Sequence, residues 1–288
     1  MLVVISGGSQ GLGKSLAAQY LQRNYKVVIV ARTASKLAAT VKELQATHTS
    51  GSIESISADV SNPDDCERVF ATTGVPDLVI CCAGAAYTGF FIDHSTETLK
   101  RNFSTVYDTA LYFSHSAFKV MAAASDKAQT RRKIVFVSSV VAVFPMIGYS
   151  AYAPAKAAIR ALSDVLSQEG IEHNIDIAHV MPGSMATPGF DEENITKPAI
   201  TAKLEGASPA LQPDVVARNM IRDLERGEHT IFTDTIGWVL SSSMMGLSPR
   251  VGWGILQGLV GLFMVFFGRL VASSISSDIR KEAKERRA

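Results

Sequence analysis

Short runs rich in apolar residues recur along the first 180 positions of the chain, separated by stretches with helical spacing of apolar and polar residues. The runs fall at 2–6 ("LVVIS"), 26–30 ("KVVIV"), 53–57, 78–82 ("LVICC"), 134–138 ("IVFVS") and 175–180. Val- and Ile-rich runs without polar interleaving are the pattern of strands covered on both faces. The intervening pattern predicts helices at 13–23, 35–47, 96–124 and 149–168. Strand and helix alternating in this way predict an α/β chain with a doubly wound parallel sheet. Such a sheet binds ligands at the carboxyl ends of its strands, near the point where strand order reverses.

Beyond about position 233 the pattern changes. No charged residue occurs from Val251 to Gly268, a stretch bounded by Arg250 and Arg269. As a helix it extends about 27 Å, barely the thickness of a bilayer core. Five glycines in that stretch, and a second uncharged run from Thr235 to Leu247, also fit a hairpin that dips into a membrane. Trp238 and Trp253 would then be interfacial anchors, with the basic tail in the cytosol. The competing reading is a dimer interface or a pair of core helices. The expected organisation is an α/β domain over 1–233, in which 188–213 is irregular and suits a lid, and a hydrophobic membrane-associating region with a basic tail over 234–288.

Composition narrows the function. Hydrophobic residues make up 47% and charged residues 19% of the 288, which excludes a disordered chain. A formal net charge of +1, with no basic run interleaved with aromatics, gives no reason to expect nucleic acid. Cys66, Cys81 and Cys82 are an odd number, two of them in an apolar run, and read as reduced core thiols. The six histidines show no His-x-x-x-His spacing and the cysteines no Cys-x-x-Cys, so no metal site is expected. "MLVVISGG" reads as a strand entering a turn rather than a signal peptide, and so abrupt a start suggests that the native chain carries residues upstream.

Three stretches carry candidate chemistry. "SGGSQGLGKS" places Gly7, Gly11 and Gly13 between the first strand and the first helix, where glycines allow a pyrophosphate to approach backbone amides at a helix N-terminus. Gly8 to Ser15 also satisfies the P-loop expression, which keeps phosphoryl transfer as a rival with Asp59 as its acidic metal ligand. At the end of the second strand "VIVARTASK" has Arg32, with Lys36 a turn later, where an NAD site has an acidic residue. An arginine there grips a ribose 2′-phosphate, so the site should prefer NADPH. Asp59 is placed to approach an adenine or to cap the next helix. In "SSVVAVFPMIGYSAYAPAK", Tyr152 and Lys156 lie one helical turn apart, with Ser139 thirteen residues before the tyrosine. The ammonium is expected to lower the phenol's pKa from about 10 towards neutrality, making Tyr152 a proton donor and acceptor. Ser139 and Tyr152 can then share one carbonyl oxygen.

"GGSQGLG", "CCAG", "RNF", "SS", "YAPAK" and "PGSMAT" follow one another in the order and spacing of the short-chain dehydrogenases/reductases, and the resemblance covers about 1–190. It implies a Rossmann fold and a reductase. Tyr152 would be the acid, Lys156 the group that lowers its pKa and clamps the nicotinamide ribose, Ser139 the carbonyl-polarising donor, and Asn102 the support of a proton-relay water. Cofactor contacts are implied at Gly7, Ser9, Gly11, Leu12, Gly13, Arg32, Lys36, Asp59, Gly84, Tyr152, Lys156, Pro182, Gly183 and Thr187. The chain departs from the family at "CCAG", in place of Asn-Asn-Ala-Gly, and at Gln10, where some NADP-binding members carry a basic residue. Within the family, "MATPGFDEENITKP" with a late hydrophobic segment resembles the reductases of long-chain 3-keto sphingoid bases, such as 3-ketodihydrosphingosine. That implies NADPH as cofactor, a sphingoid ketone as substrate in sphingolipid synthesis, and an endoplasmic reticulum membrane location with the catalytic domain facing the cytosol. Family members pair through the helices at 96–124 and 149–168, implying a homodimer or homotetramer. The alternatives are a reductase of another lipid carbonyl (steroid, retinoid or fatty-acyl) and a catalytically idle dinucleotide-binding scaffold. Asp191, Glu192 and Glu193 read as a solvated loop face, with attraction for a cationic substrate as the second reading.

Overall fold

The computed structural model describes residues 1–206, 210–242 and 254–285. Seven strands form one parallel sheet in the order β3-β2-β1-β4-β5-β6-β7. They are β1 (Leu2–Ser6), β2 (Lys26–Ala31), β3 (Ser52–Ser57), β4 (Leu78–Cys81), β5 (Arg132–Val137), β6 (Ile175–Met181) and β7 (Thr230–Phe232). The first six match the apolar runs to within two residues at either end. β7, three residues long, carries no such run and was not expected.

The helices are α1 (Gly11–Gln22), α2 (Ala34–Thr47), α3 (Pro63–Thr73), α4 (Thr96–Phe103), α5 (Thr109–Ala122), α6 (Tyr152–His173), α7 (Pro188–Thr196), α8 (Ala199–Glu205), α9 (Pro213–Glu225), α10 (Thr235–Ser241) and α11 (Gly254–Glu285). One face of the sheet packs Ile5, Ile29 and Ile80 against Leu16 and Leu21 of α1, Leu37 of α2 and Met220 of α9. The other packs Val28, Ile134 and Phe136 against Phe70 of α3, Phe113 of α5 and Ile159 of α6. Each of these large side chains is worth about 1.5–3 kcal/mol when fully buried, which is why central strands can be apolar throughout. β3, at the sheet edge, is instead largely exposed.

Three expectations are corrected. The helix expected over 96–124 is interrupted by a π turn, Ser104–Asp108, immediately after Asn102 and Phe103. Such turns insert a residue into the helical ladder and rotate the side chains that follow. The helix expected from 149 begins at Tyr152, which puts Pro154 in the first turn, where a missing N–H costs no hydrogen bond. The segment 188–213, expected to be irregular, holds α7, started by Thr187 as cap and Pro188, and α8.

Beyond β7, Asp234 caps α10, and α11 presents a broad exposed apolar face that includes Ile255, Leu259, Leu262, Phe263 and Leu270. Among the described residues no helix is long and apolar enough to cross a membrane. Trp238 lies on α10; Trp253 and much of the uncharged run that ends at Leu247 lie outside the described residues.

Candidate active site

The strand ends of β1, β2, β4, β5 and β6 converge on one edge of the sheet, and nearly every residue singled out in the sequence lies there. Gly7 leaves β1 at φ +71°, its amide donating to Val30 O at 2.8 Å. Its Cα passes so close to Ala83 that a Cβ would lie 2.9 Å from that residue's backbone. A Cβ on Gly13 would lie 2.3 Å from Gly7 O, so the first turn of α1 sits directly on the loop. The loop has no room for side chains on these faces, as backbone approach by a pyrophosphate requires. α1 has no side-chain cap and no acidic residue in its first turn, leaving its N-terminal amides to bind an anion.

Ser9 is held by its carbonyl, which accepts from Thr40 Oγ1 at 2.9 Å. Leu12 is buried in the core, so only its backbone is available to a ligand. The two residues that a P-loop would turn towards phosphate and Mg²⁺ are engaged elsewhere. Lys14 Nζ pairs with Glu43 at 2.7 Å and Ser15 Oγ donates to Asp214 Oδ1 at 2.5 Å, which removes the phosphotransferase reading.

Arg32 and Lys36 are exposed at the end of β2 and start of α2, and neither side chain has an ion-pair partner among the described residues. Asp59 is not a helix cap: Asn62 caps α3, while Asp59 Oδ1 accepts from Ser61 N at 3.0 Å and Ser61 Oγ at 2.7 Å.

Ser139 follows β5 and caps a short turn, its Oγ accepting from Val141 N at 3.3 Å, and its hydroxyl lies near enough to the Tyr152 phenol to favour that group's ionised form. Ser138 Oγ donates to Lys156 O at 2.9 Å, fastening this strand end to α6. Lys156 is 5% exposed; its Nζ donates to Val137 O at 2.9 Å and lies 5.5 Å from the centroid of the Tyr152 ring. Burial lowers the Lys156 pKa to about 8. The expected depression of the tyrosine is reversed in the protein alone. Burial, then the charge of Glu193, hold the Tyr152 phenol above its ordinary value, outweighing the opposing influence of the Ser139 hydroxyl. Desolvation of the phenolate dominates because the nearest cation is itself desolvated and directed at a backbone carbonyl. Tyr152 is thus kept protonated, the state in which it donates.

Asn102 is wholly buried; Nδ2 donates to Tyr87 O at 3.3 Å and Oδ1 has no partner. The "CCAG" departure has a structural answer. Ser6 Oγ accepts from the amides of Cys82 at 3.1 Å and Ala83 at 3.3 Å, so a hydroxyl from β1 organises that turn. Beside Gly84, a Cβ would lie 3.8 Å from Lys156 Nζ, so the lysine reaches the mouth of this turn. Pro182 O accepts from Val140 N at 3.1 Å, joining the loop after β6 to the Ser139 turn. A Cβ on Gly183 would lie 2.7 Å from Asp234 Oδ2, and one on Gly11 3.2 Å from Thr187 Cγ2, so both loops close over the same edge.

The sequence reading missed the wall formed by the lid. Glu193, expected to face solvent with Asp191 and Glu192, turns inward instead. Lys197 Nζ lies 2.8 Å from Glu193 Oε1 and 2.8 Å from Glu205 Oε2. The Tyr149 hydroxyl donates to Glu193 Oε1 at 2.5 Å and also contacts Glu205 Oε1. Glu193 and Lys197 stand at helical i,i+4 spacing, but Tyr149 is tens of residues away in the sequence, and no spacing signals its meeting with Glu193 and Glu205.

With the geometry in view, the comparisons with known proteins can be placed. The profile of the short chain dehydrogenase family matches residues 1–198. The chain belongs to this family. It is 39% identical over 286 residues to a 3-ketodihydrosphingosine reductase of Yarrowia lipolytica, covering 97% of this chain and 77% of the relative. To a 3-ketodihydrosphingosine reductase of Debaryomyces hansenii it is 36% identical over 296 residues, covering 99% and 90%. Among solved structures, a short-chain dehydrogenase from Sphingobium yanoikuyae in complex with NADPH superposes with TM-score 0.71 at 22% identity, covering 92% of this chain and 94% of that one. A short-chain dehydrogenase/reductase from Burkholderia phymatum in complex with NAD gives 0.72 at 19%, covering 82% and 89%. At such identities the structural likeness speaks for the fold, which is the family's.

Proposed function

We propose that the chain is an NADPH-dependent reductase that converts 3-ketodihydrosphingosine to dihydrosphingosine, a step of sphingolipid synthesis. The observation that carries this reading is the half-buried pair of Ser139 and Tyr152 hydroxyls beside buried Lys156, in a chain alike over nearly its whole length to reductases named for that ketone. An idle scaffold would have no need of that constellation.

The residues present fit a dinucleotide. The amides around Gly7, Ser9, Gly11, Leu12 and Gly13 would hold the pyrophosphate, and Arg32 with Lys36 the 2′-phosphate. Asp59 would lie towards the adenine. Gly84, Pro182, Gly183 and Thr187 would border the nicotinamide, with Lys156 on its ribose. When bound, NADPH supplies the hydride. Ser139 and Tyr152 would receive the substrate's carbonyl oxygen between their hydroxyls and stabilise the negative charge that grows there. Tyr152 would then deliver its proton to that oxygen, completing the alcohol. Asn102 would hold the water through which the proton is replaced; its unpartnered Oδ1 is an acceptor for such a water.

The membrane role of the C-terminal region belongs to the same reading. An alkyl-chain substrate partitions into bilayer, and the exposed apolar face of α11 suits an interfacial helix of an enzyme working at the cytosolic face of the endoplasmic reticulum. Exposed Phe103, on α4, with Val165 and Ile171 on α6, supports pairing of two or four copies through the long helices, which sedimentation in detergent would read as a multiple of the chain mass. Tyr152→Phe tests the chemistry. It should abolish formation of dihydrosphingosine, measured by mass spectrometry, while NADPH still binds; undiminished product would sink the assignment.

A further inference from the structure

The wall of the site nearest Tyr152 carries more negative charge than the protein neutralises. Lys197, with a side chain 3% exposed, is the one ammonium set between Glu193 and Glu205, whose side chains are 14% and 17% exposed. The Tyr149 phenol faces both carboxylates but has a single hydrogen. Burial, followed by the charge of Glu193, holds that phenol well above its ordinary pKa, so it adds no charge of its own. Two carboxylates and one ammonium leave one negative charge over. Glu193 Oε1 is ion-paired with Lys197 and accepts from Tyr149, Lys197 donates its hydrogen bond to Glu205 Oε2, and Glu193 Oε2 has no hydrogen-bond partner among the described residues.

Three further observations fix where this surplus lies. The rings of Tyr149 and Tyr152 are 5.9 Å apart, so the cluster stands beside the hydroxyl that receives the substrate's oxygen. The lid carries Glu193 to that place by tethers of its own. Thr88 Oγ1 donates to Glu193 O at 2.8 Å and pairs with Thr196 Oγ1 at 2.9 Å, and Thr201 Oγ1 donates to Ile147 O at 2.8 Å. Asn102, wholly buried with Oδ1 unpartnered, belongs to the same wall, since it holds Tyr87 next to Thr88.

An uncompensated carboxylate at this position opposes the reaction. Negative charge must grow on the oxygen between Ser139 and Tyr152, and a like charge nearby raises the cost of that growth. The arrangement makes chemical sense once a cation occupies the space between Glu193 and the reacting oxygen.

We infer that Glu193, held by Lys197 and Tyr149, anchors the ammonium that the substrate carries on the carbon next to its carbonyl, and so selects amino ketones over neutral ones. This rests on the functional reading above, since 3-ketodihydrosphingosine is such an amino ketone. Its ammonium is short-tethered to the carbonyl, so an oxygen seated on Ser139 and Tyr152 brings the cation to the tyrosine side of the pocket, where it cancels the surplus charge and faces the growing oxyanion. A neutral ketone would leave the surplus charge of the Glu193–Lys197–Glu205 cluster uncompensated beside the reacting oxygen, the arrangement that gives discrimination.

The test compares kcat/KM of the full chain in detergent micelles for 3-ketodihydrosphingosine and for its deaminated analogue, the same hydroxyketone with hydrogen in place of the amine. Wild-type protein should favour the amine by about tenfold to a hundredfold. Glu193→Gln should lower kcat/KM for the amine by a similar factor and leave the analogue unchanged or faster, with NADPH affinity unaltered. The analogue reports whether the lid still folds, and Glu193→Asp should restore part of the preference. An equal loss on both ketones, or no loss on either, overturns the inference while the functional reading stands. Wild-type protein that reduces neither overturns the functional reading and this inference with it.

Discussion

Replacing Gly13 by alanine inserts one methyl group at the most crowded point of the proposed cofactor loop. Its Cβ would lie 2.3 Å from Gly7 O, 2.8 Å from Gly7 C and 3.0 Å from Gly8 Cα, all of them backbone atoms. Relief needs a separation of about 1 Å to restore ordinary contact distances. Gly7 cannot supply it, because its amide is bonded to Val30 O and its Cα is wedged against Ala83. α1 must move instead, drawing its own Leu12 and Leu16 out of their packing in the core. Overpacking of this kind costs about 1–3 kcal/mol, a fall of several degrees in Tm for a chain of this size. The same movement carries the helix amides off the pyrophosphate, and misplacement by about 1 Å weakens a pre-positioned site by up to about a hundredfold. NADPH titration by fluorescence and thermal unfolding of the full chain measure the two effects. Gly74→Ala is the control: Gly74 has φ +78° and ψ −160°, a conformation nearly confined to glycine, with nothing within 4 Å of a Cβ, so alanine there costs about 1–3 kcal/mol of backbone strain and lowers Tm while leaving NADPH affinity untouched. A Gly13→Ala protein with wild-type NADPH affinity and Tm would refute this account of the loop.

Arg32→Ala should weaken NADPH by about tenfold to a hundredfold, the worth of a charge-assisted phosphate contact, and change NADH little; equal changes would remove Arg32 from the 2′-phosphate. Substituting Glu for Leu259 and Leu262, both exposed on α11, should abolish flotation of the protein with phospholipid vesicles while leaving NADPH affinity intact, and undiminished flotation would move the membrane contact elsewhere. His179 is 2% exposed, and burial, then the charge of Arg160, lower its pKa to about 4. Between about pH 6.5 and pH 4 the unfolded chain therefore binds a proton that the folded chain does not, so stability falls on acidification through that window, by about 3 kcal/mol at most. His179→Leu should flatten this part of the Tm–pH curve, and an unchanged slope would assign it to other groups.

The sheet was legible because its central strands are buried on both faces and are written mostly in Val, Ile and other apolar residues, as in β1, β2 and β4. β7 escaped because three residues at an edge need no such run. Ser139, Tyr152 and Lys156 could be found since strand and helix ends fix their spacing, although the helix was expected to begin three residues too early. The ionisation of Tyr152 could not be read in the same way. Its direction depends on burial and on Glu193, which spacing does not encode. The break after α4 and the helices of the lid were hidden for a related reason. The π turn continues a helical pattern without interrupting it, and α7 has no buried face to impose one. Glu193 in particular is one of three consecutive acidic residues, and only contact with Lys197 and Tyr149 separates it from its exposed neighbours.

The most direct test of the reductase assignment is the initial rate of NADPH oxidation by the detergent-solubilised full chain with 3-ketodihydrosphingosine, set against NADH and against steroid, retinoid and fatty-acyl carbonyls. Fast turnover of the sphingoid ketone with NADPH, and slow turnover of every other combination, is the expected result. Turnover of another carbonyl with none of the sphingoid ketone would contradict it.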